Sequence, residues 1–133
     1  MPDSTPQTIL VLDDEPEVRK LVAAMLNRYG YRTLTADTGE NALRLIRSNP
    51  EISLLLTDVV APGMSGPMAA DQIATLKPGI KVLFMSGYDS SQVVQRYVVE
   101  KGCSLLTKPF TMEQLGEKVR EVLGGGGQAL TAG

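Results

Sequence analysis

Short apolar runs and longer amphipathic stretches take turns along this chain, five of each. The runs at 9–12 (ILVL), 52–56 (ISLLL) and 80–85 (IKVLFM) are close to continuous, the pattern of strands covered on both faces. Residues 31–36 alternate enough to form a short strand nearer an edge, and 103–107 supply a fifth. Between the runs the apolar spacing lengthens to the helical period. Val18, Leu21, Val22, Met25, Leu26 and Tyr29 make one stripe, with Pro16 in its first turn, Glu15 at the cap, Glu17 toward the positive end of the helix dipole and Gly30 as the stop. Asp37, with Glu40 after it, predicts a capping-box start for a helix to about Ser48, ended by Asn49 and Pro50. A third helix is predicted over about 67–76 with Ser65 as its cap. A fourth, from Ser90 through Val93, Val94, Tyr97 and Val98, is rich in valine and so intrinsically weak. In the last, Thr111 and Gln114 form a capping box, Phe110 and Leu115 a hydrophobic staple, and Met112, Leu115, Val119 and Val122 the apolar stripe.

Strands alternating with helices through short connections imply a parallel sheet covered on both sides. The expected fold is α/β: a five-stranded parallel sheet in the order 2-1-3-4-5, doubly wound with five helices, flavodoxin-like. A chain of 133 residues predicts one domain, here 8–123, with a disordered segment at 1–7 and a flexible glycine-rich tail or linker at 124–133. The 43% hydrophobic and 21% charged residues are ordinary for a soluble globular chain, and a net charge of -2 exerts no long-range pull on nucleic acid or an anionic membrane. Direct binding to either is therefore not expected. Cys103 is the only cysteine, which excludes an intrachain disulfide and suits a buried packing residue. Neither a signal peptide nor an apolar run of about 20 residues is present, so the cytoplasm is expected, with a membrane-anchored parent protein left open. No histidine occurs, which excludes an imidazole base or an imidazole-built zinc site.

Chemistry concentrates where the strands stop. The first run ends on Asp13 and Asp14, the third on Asp58, the fourth on Ser86 and the fifth on Lys108. In the 2-1-3-4-5 order these ends crowd one edge of the sheet, where open parallel sheets bind ligands. Three carboxylates held together drive at least one pKa upward unless a cation lies among them. A hard divalent ion with oxygen ligands, Mg²⁺ above others, resolves that conflict. A lysine and a hydroxyl aimed at the same place suit a transferred phosphoryl group, and a carboxylate such as Asp58 can be its nucleophile.

Four segments, ILVLDDEP, LLLTDVVAPGMSGP, KVLFMSGY and LLTKPF, stand in an order and spacing that resembles the receiver domain of two-component response regulators. The match runs from residue 8 to about 123. Position by position, the resemblance implies that Asp58 is the phosphorylated aspartate, Asp14 a direct Mg²⁺ ligand and Asp13 its partner acting largely through water. It implies that Val60 offers Mg²⁺ its backbone carbonyl, that Ser86 closes on the phosphoryl group, and that Lys108, on a cis bond to Pro109, contacts the phosphate. The family usually places a Tyr or Phe three residues before that lysine; here the position holds Leu105.

The function expected from this resemblance is a phosphorelay module that takes a phosphoryl group from a phosphohistidine onto Asp58 and then changes conformation and partner binding. It would not be an enzyme beyond catalysing its own phosphorylation and dephosphorylation. Because this chain has no histidine, the donor must be another domain, another protein such as a histidine kinase or a histidine phosphotransfer protein, or a small acyl phosphate. The SGY and PGMSGP segments resemble receivers at the C-terminus of bacterial hybrid sensor histidine kinases. With leucine at 105, the expected moving element is the loop 87–91, with Tyr88 as its bulky group. Two other readings compete: a Mg²⁺-dependent phosphohydrolase with an aspartate nucleophile, and a receiver-like binding module that is never phosphorylated. The first usually needs a second acid soon after the nucleophile, where this chain has Val59 and Val60.

Overall fold

The computed structural model describes residues 7–59, 66–86 and 104–126. Five strands form one parallel sheet: β1 (Thr8–Leu12), β2 (Arg32–Ala36), β3 (Ile52–Asp58), β4 (Lys81–Ser86) and β5 (Ser104–Thr107), in the order β2-β1-β3-β4-β5. Among the described residues there are four helices, α1 (Pro16–Arg28), α2 (Gly39–Ser48), α3 (Gly66–Leu76) and α4 (Met112–Glu121). The valine-rich helix expected near 90–100, the Ser65 cap and Cys103 lie outside the described residues.

The near-continuous apolar runs are explained by two cores, one on each face of the sheet. Ile9, Val11, Leu54, Leu56, Leu83 and Met85 pack against α1 and α4 through Val22, Leu26, Leu115 and Val119. Leu10, Leu12, Leu55, Val82 and Phe84 point the other way, onto Ala42, Leu43 and Ile46 of α2 and Ala69, Ala70, Ile73 and Ala74 of α3. Successive residues of a strand thus serve opposite layers, which leaves few interior positions for polar side chains; the buried Thr57 of β3 gives its hydroxyl to the Asp58 carbonyl.

Local chemistry sets the helix ends. After α1, Gly30 takes φ +93° while its N–H donates to Asn27 O at 3.0 Å and the Tyr31 N–H donates to Leu26 O at 3.1 Å, a Schellman stop. The α4 capping box forms as the pattern requires: Gln114 N–H donates to Thr111 Oγ1 (3.0 Å) and Thr111 N–H to Gln114 Oε1 (2.8 Å). Past α4 the backbone continues as a π turn, Val122–Gly126, that carries Val122 into the core.

Three local expectations need correction. The cap of α2 is Thr38, whose Oγ1 accepts from Asn41 N–H at 3.1 Å; Asp37 instead accepts from Asn41 Nδ2 at 2.6 Å. A β-branched hydroxyl one residue nearer the helix reaches the orphan N–H better than the longer-reaching acid. At α1, Glu15 occupies the cap position but its side chain makes no capping bond. The α1 stripe is also narrower than predicted, because Leu21 is 57% and Tyr29 39% exposed.

Candidate functional site

Asp13 follows β1, Asp58 closes β3, Ser86 closes β4 and Lys108 follows β5, so the sheet carries them all to one edge. Carboxylate oxygens of Asp13, Asp14 and Asp58 lie within 4.8 Å of one another. Asp13 is fully buried, Asp14 exposed and Asp58 between them. Every polar group of Asp13 has a partner: its N–H donates to Ala36 O (3.2 Å), its carbonyl accepts from Arg19 Nη1 (2.7 Å), its Oδ1 accepts from the Glu15 N–H (2.9 Å), and its Oδ2 pairs with Lys108 (3.2 Å).

The Lys108 ammonium is shared. It stands 2.8 Å from Asp58 Oδ2 as well as 3.2 Å from Asp13 Oδ2. Burial alone would push this ammonium down, but the hydrogen bond and charge of Asp58, joined by those of Asp13, outweigh it and hold its pKa above 10.5. Burial acts in the opposite sense on Asp13, whose carboxyl is raised above 3.8 even though the Glu15 N–H and Lys108 favour its anion.

The pocket is therefore an all-oxygen donor set with one cation already at its rim, which suits a hard divalent ion rather than a thiolate- or imidazole-seeking metal. Ser86 is 3% exposed, and its carbonyl accepts the Lys108 N–H at 2.7 Å, so the hydroxyl-bearing and lysine-bearing strand ends are locked side by side. Val59 N–H donates to Met85 O at 3.0 Å, extending the ladder one residue past Asp58. Of the other residues singled out from the sequence, Val60 and Tyr88 lie outside the described residues. Leu105 sits in β5 opposite Phe84 and is partly buried on the α2–α3 side of the sheet. The Lys108–Pro109 bond is cis.

Residues 9–120 match the response regulator receiver domain. This chain belongs to that family. It is 32% identical to the sensor kinase CckA of Brucella abortus (strain 2308) over 117 residues, 87% of this chain but only 12% of the kinase's length. It is 28% identical to the response regulator receiver protein CpdR of the same organism over 115 residues, 86% of this chain and 95% of that protein. Among solved structures, a CheY-like response regulator receiver domain protein from Methanospirillum hungatei JF-1 superposes with a TM-score of 0.82 at 27% identity, covering 90% of this chain and 95% of that one. The receiver fold and its work as a phosphoacceptor module of two-component signalling, not an enzyme with its own metabolic substrate, follow from that membership. No helix among the described residues is long and apolar enough to cross a membrane.

Three features of the site are not legible as sequence motifs. Arg19 reaches back from α1 to the Asp13 carbonyl, and Thr57 Oγ1 donates to the Asp58 carbonyl at 2.9 Å. The third is an apolar groove of about 370 Å³ between α1 and the segment after β5, lined by Val18, Leu21, Val22, Met25, Pro109 and Phe110 and reaching Lys108. The exposed Leu21 is its outward sign: an apolar position that the helical stripe predicts to be core is left open beside the site.

Proposed function

We propose that Asp58 of this receiver accepts a phosphoryl group from a phosphohistidine with Mg²⁺ held by Asp13, Asp14, Asp58 and the Val60 carbonyl. The observation that carries the reading is the Lys108 ammonium on Asp58 Oδ2, inside a pocket that also gathers two further carboxylates. A carboxylate oxygen of Asp58 forms the new P–O bond while the P–N bond of the donor breaks, its electron pair returning to the imidazole ring, which then takes up a proton. Bound Mg²⁺ supplies charge neutralisation to the phosphoryl oxygens and orients them. Lys108 then exchanges its carboxylate partners for a phosphoryl oxygen, and Ser86, at the adjoining strand end, donates a hydroxyl to another.

The donor is read as a histidine kinase or a histidine phosphotransfer protein. Its histidine must come within bonding reach of Asp58, so the donor surface around that histidine covers the rim beside Lys108, where the apolar groove along α1 begins. Residues 8–123 are read as the receiver, flanked by 1–7 and 124–133, working in the cytoplasm whether alone or within a membrane-anchored parent. With leucine at 105, Tyr88 and the loop 87–91 are read as the group that moves on phosphorylation. Intact-mass measurement with acetyl phosphate tests the reading. One phosphoryl group should add to the wild type in the presence of Mg²⁺ and none after chelation. An Asp58→Asn chain that gained the same mass at the same rate would refute it.

A further inference from the structure

We infer that Arg19 is a positioning residue for the acidic pocket, setting the direction of the Asp14 carboxylate through the backbone on either side of it. The inference rests on the reading of that pocket as a divalent-cation site. Asp14 is exposed, so packing does not orient it as it orients the buried Asp13. Its direction depends instead on its own φ and ψ, the two soft dihedrals between the peptide planes that flank its Cα.

Both planes are tied down. The peptide before Asp14 carries the Asp13 carbonyl, which accepts from Arg19 Nη1 at 2.7 Å. The peptide after Asp14 carries the Glu15 N–H, which donates to Asp13 Oδ1 at 2.9 Å. With one plane held by a guanidinium and the other by a carboxylate, the Cα–Cβ bond of Asp14 has little freedom, and its oxygen is presented to the pocket without having to be ordered by the ion. Such preorganisation is what partners behind a metal ligand contribute.

The guanidinium also faces a counter-charge. Arg19 is half-buried on the first turn of α1 and shares a polar pocket with Asp37, Asn41 and Arg44. Asp37, fixed by its 2.6 Å bond from Asn41, supplies a counter-charge there, and Arg19 helps to hold the Asp37 carboxyl below its ordinary value after the larger effect of Asn41. The β2–α2 connection thereby sets a counter-charge beside the arginine that holds the Asp13 carbonyl.

The sign of the effect separates positioning from charge. A guanidinium near a cation site repels the cation, so removing it for charge reasons alone tightens Mg²⁺ binding. Removing a positioning group weakens it. The experiment is calorimetric titration of MgCl₂ into the unphosphorylated wild type, Arg19→Met, Arg19→Lys and Arg44→Met, with thermal melts and amide NMR spectra of each. Arg19→Met should raise the Mg²⁺ Kd about tenfold, with Arg19→Lys between it and wild type. Arg44→Met, which removes the same charge from the same pocket without touching Asp13, should bind as wild type or tighter. In metal-free Arg19→Met the Asp14 and Glu15 amide resonances should shift, and at saturating Mg²⁺ its phosphorylation by acetyl phosphate should return to the wild-type rate. An Arg19→Met protein that binds Mg²⁺ as tightly as wild type, or tighter, overturns the inference. If that variant melts below the working temperature, Arg19→Lys decides alone, and an unchanged Kd there overturns it equally. A wild type that binds no Mg²⁺ would instead remove the cation-site reading beneath it.

Discussion

Lys108 Nζ lies 2.8 Å from Asp58 Oδ2, so the lysine neutralises the carboxylate proposed to attack phosphorus. Taking that cation away leaves Asp58 and Asp13 facing each other across the pocket. Lys108→Met should therefore lower the stability of the metal-free protein by about 1–3 kcal/mol, and added Mg²⁺ should recover most of the loss. Denaturant melts with and without Mg²⁺ check this. Because the folded Lys108 pKa lies above 10.5, the stability that its charge contributes is fully present below that value and is lost only as pH rises through the raised one. The gap between wild type and Lys108→Met should accordingly stay constant at neutral pH and close in strong alkali.

Substituting Asp13 should act on stability with the opposite sign. Its folded pKa is raised, chiefly by burial, so the native chain binds this proton more tightly than the unfolded chain does. The associated stability is complete below 3.8 and disappears as pH rises through the raised value, leaving a buried anion at neutral pH that only Lys108 and the Glu15 N–H relieve. Asp13→Asn keeps an oxygen for the Glu15 N–H and removes the charge. We expect it to be more stable than wild type at neutral pH without metal, by roughly 1 kcal/mol, with the advantage shrinking on acidification. The same variant should bind Mg²⁺ more weakly. Melts across roughly pH 3 to 8, the range in which carboxylates titrate, would contradict this if Asp13→Asn were the less stable at every pH.

These two residues also mark how far the amino-acid pattern reaches. The strand runs, their parallel arrangement and the acids, hydroxyl and lysine at their ends are legible because a doubly covered strand must be apolar until it stops, which isolates the polar residue that follows. The α4 cap is legible because both of its bonds are local. What escapes are contacts whose partner is a backbone atom distant in sequence, such as Arg19 on the Asp13 carbonyl or Tyr29 Oη on the Met112 carbonyl, 83 residues away. Backbone carbonyls carry no residue identity, so no spacing rule announces them. The pattern offers Asp37 and Thr38 equally as caps, and the choice between neighbouring cap residues turns on a φ/ψ that the pattern does not encode.

The groove along α1 should separate protein donors from small ones. Leu21 is 57% exposed on its wall and distant from the acidic cluster in role, so Leu21→Arg should leave fold and pocket intact while placing a hydrated charge where the proposed donor's apolar surface docks. Phosphorylation by phosphoramidate should be unchanged. Transfer from a histidine kinase that phosphorylates the wild type should slow about tenfold or more, the loss expected when a central apolar contact of an interface is replaced by a charge. Equal slowing with both donors would mean that the substitution had disturbed the site itself, and no slowing with either would remove the groove from the docking surface.

At the C-terminal end of α1, the Tyr29 ring lies over Gly116 of α4, and its hydroxyl donates to the Met112 carbonyl at 2.9 Å. A Cβ built on Gly116 would stand 2.6 Å from Tyr29 Cε2 and 2.7 Å from its Oη, closer than carbon atoms can pack. Glycine inside a helix ordinarily costs about 0.5–1 kcal/mol relative to alanine, so its presence at this position is explained by the ring and not by the helix. Gly116→Ala should therefore expel the ring, break the bond to Met112 and destabilise the protein by about 1 kcal/mol despite the better helix propensity. In a Tyr29→Ala background the obstacle is gone, and Gly116→Ala should be stabilising by roughly 0.5–1 kcal/mol. A double-mutant cycle by denaturant melting reads the reversal directly, since residues in contact couple by about 0.5–3 kcal/mol. Additive effects of the two substitutions would show that Tyr29 and Gly116 do not hold α1 to α4.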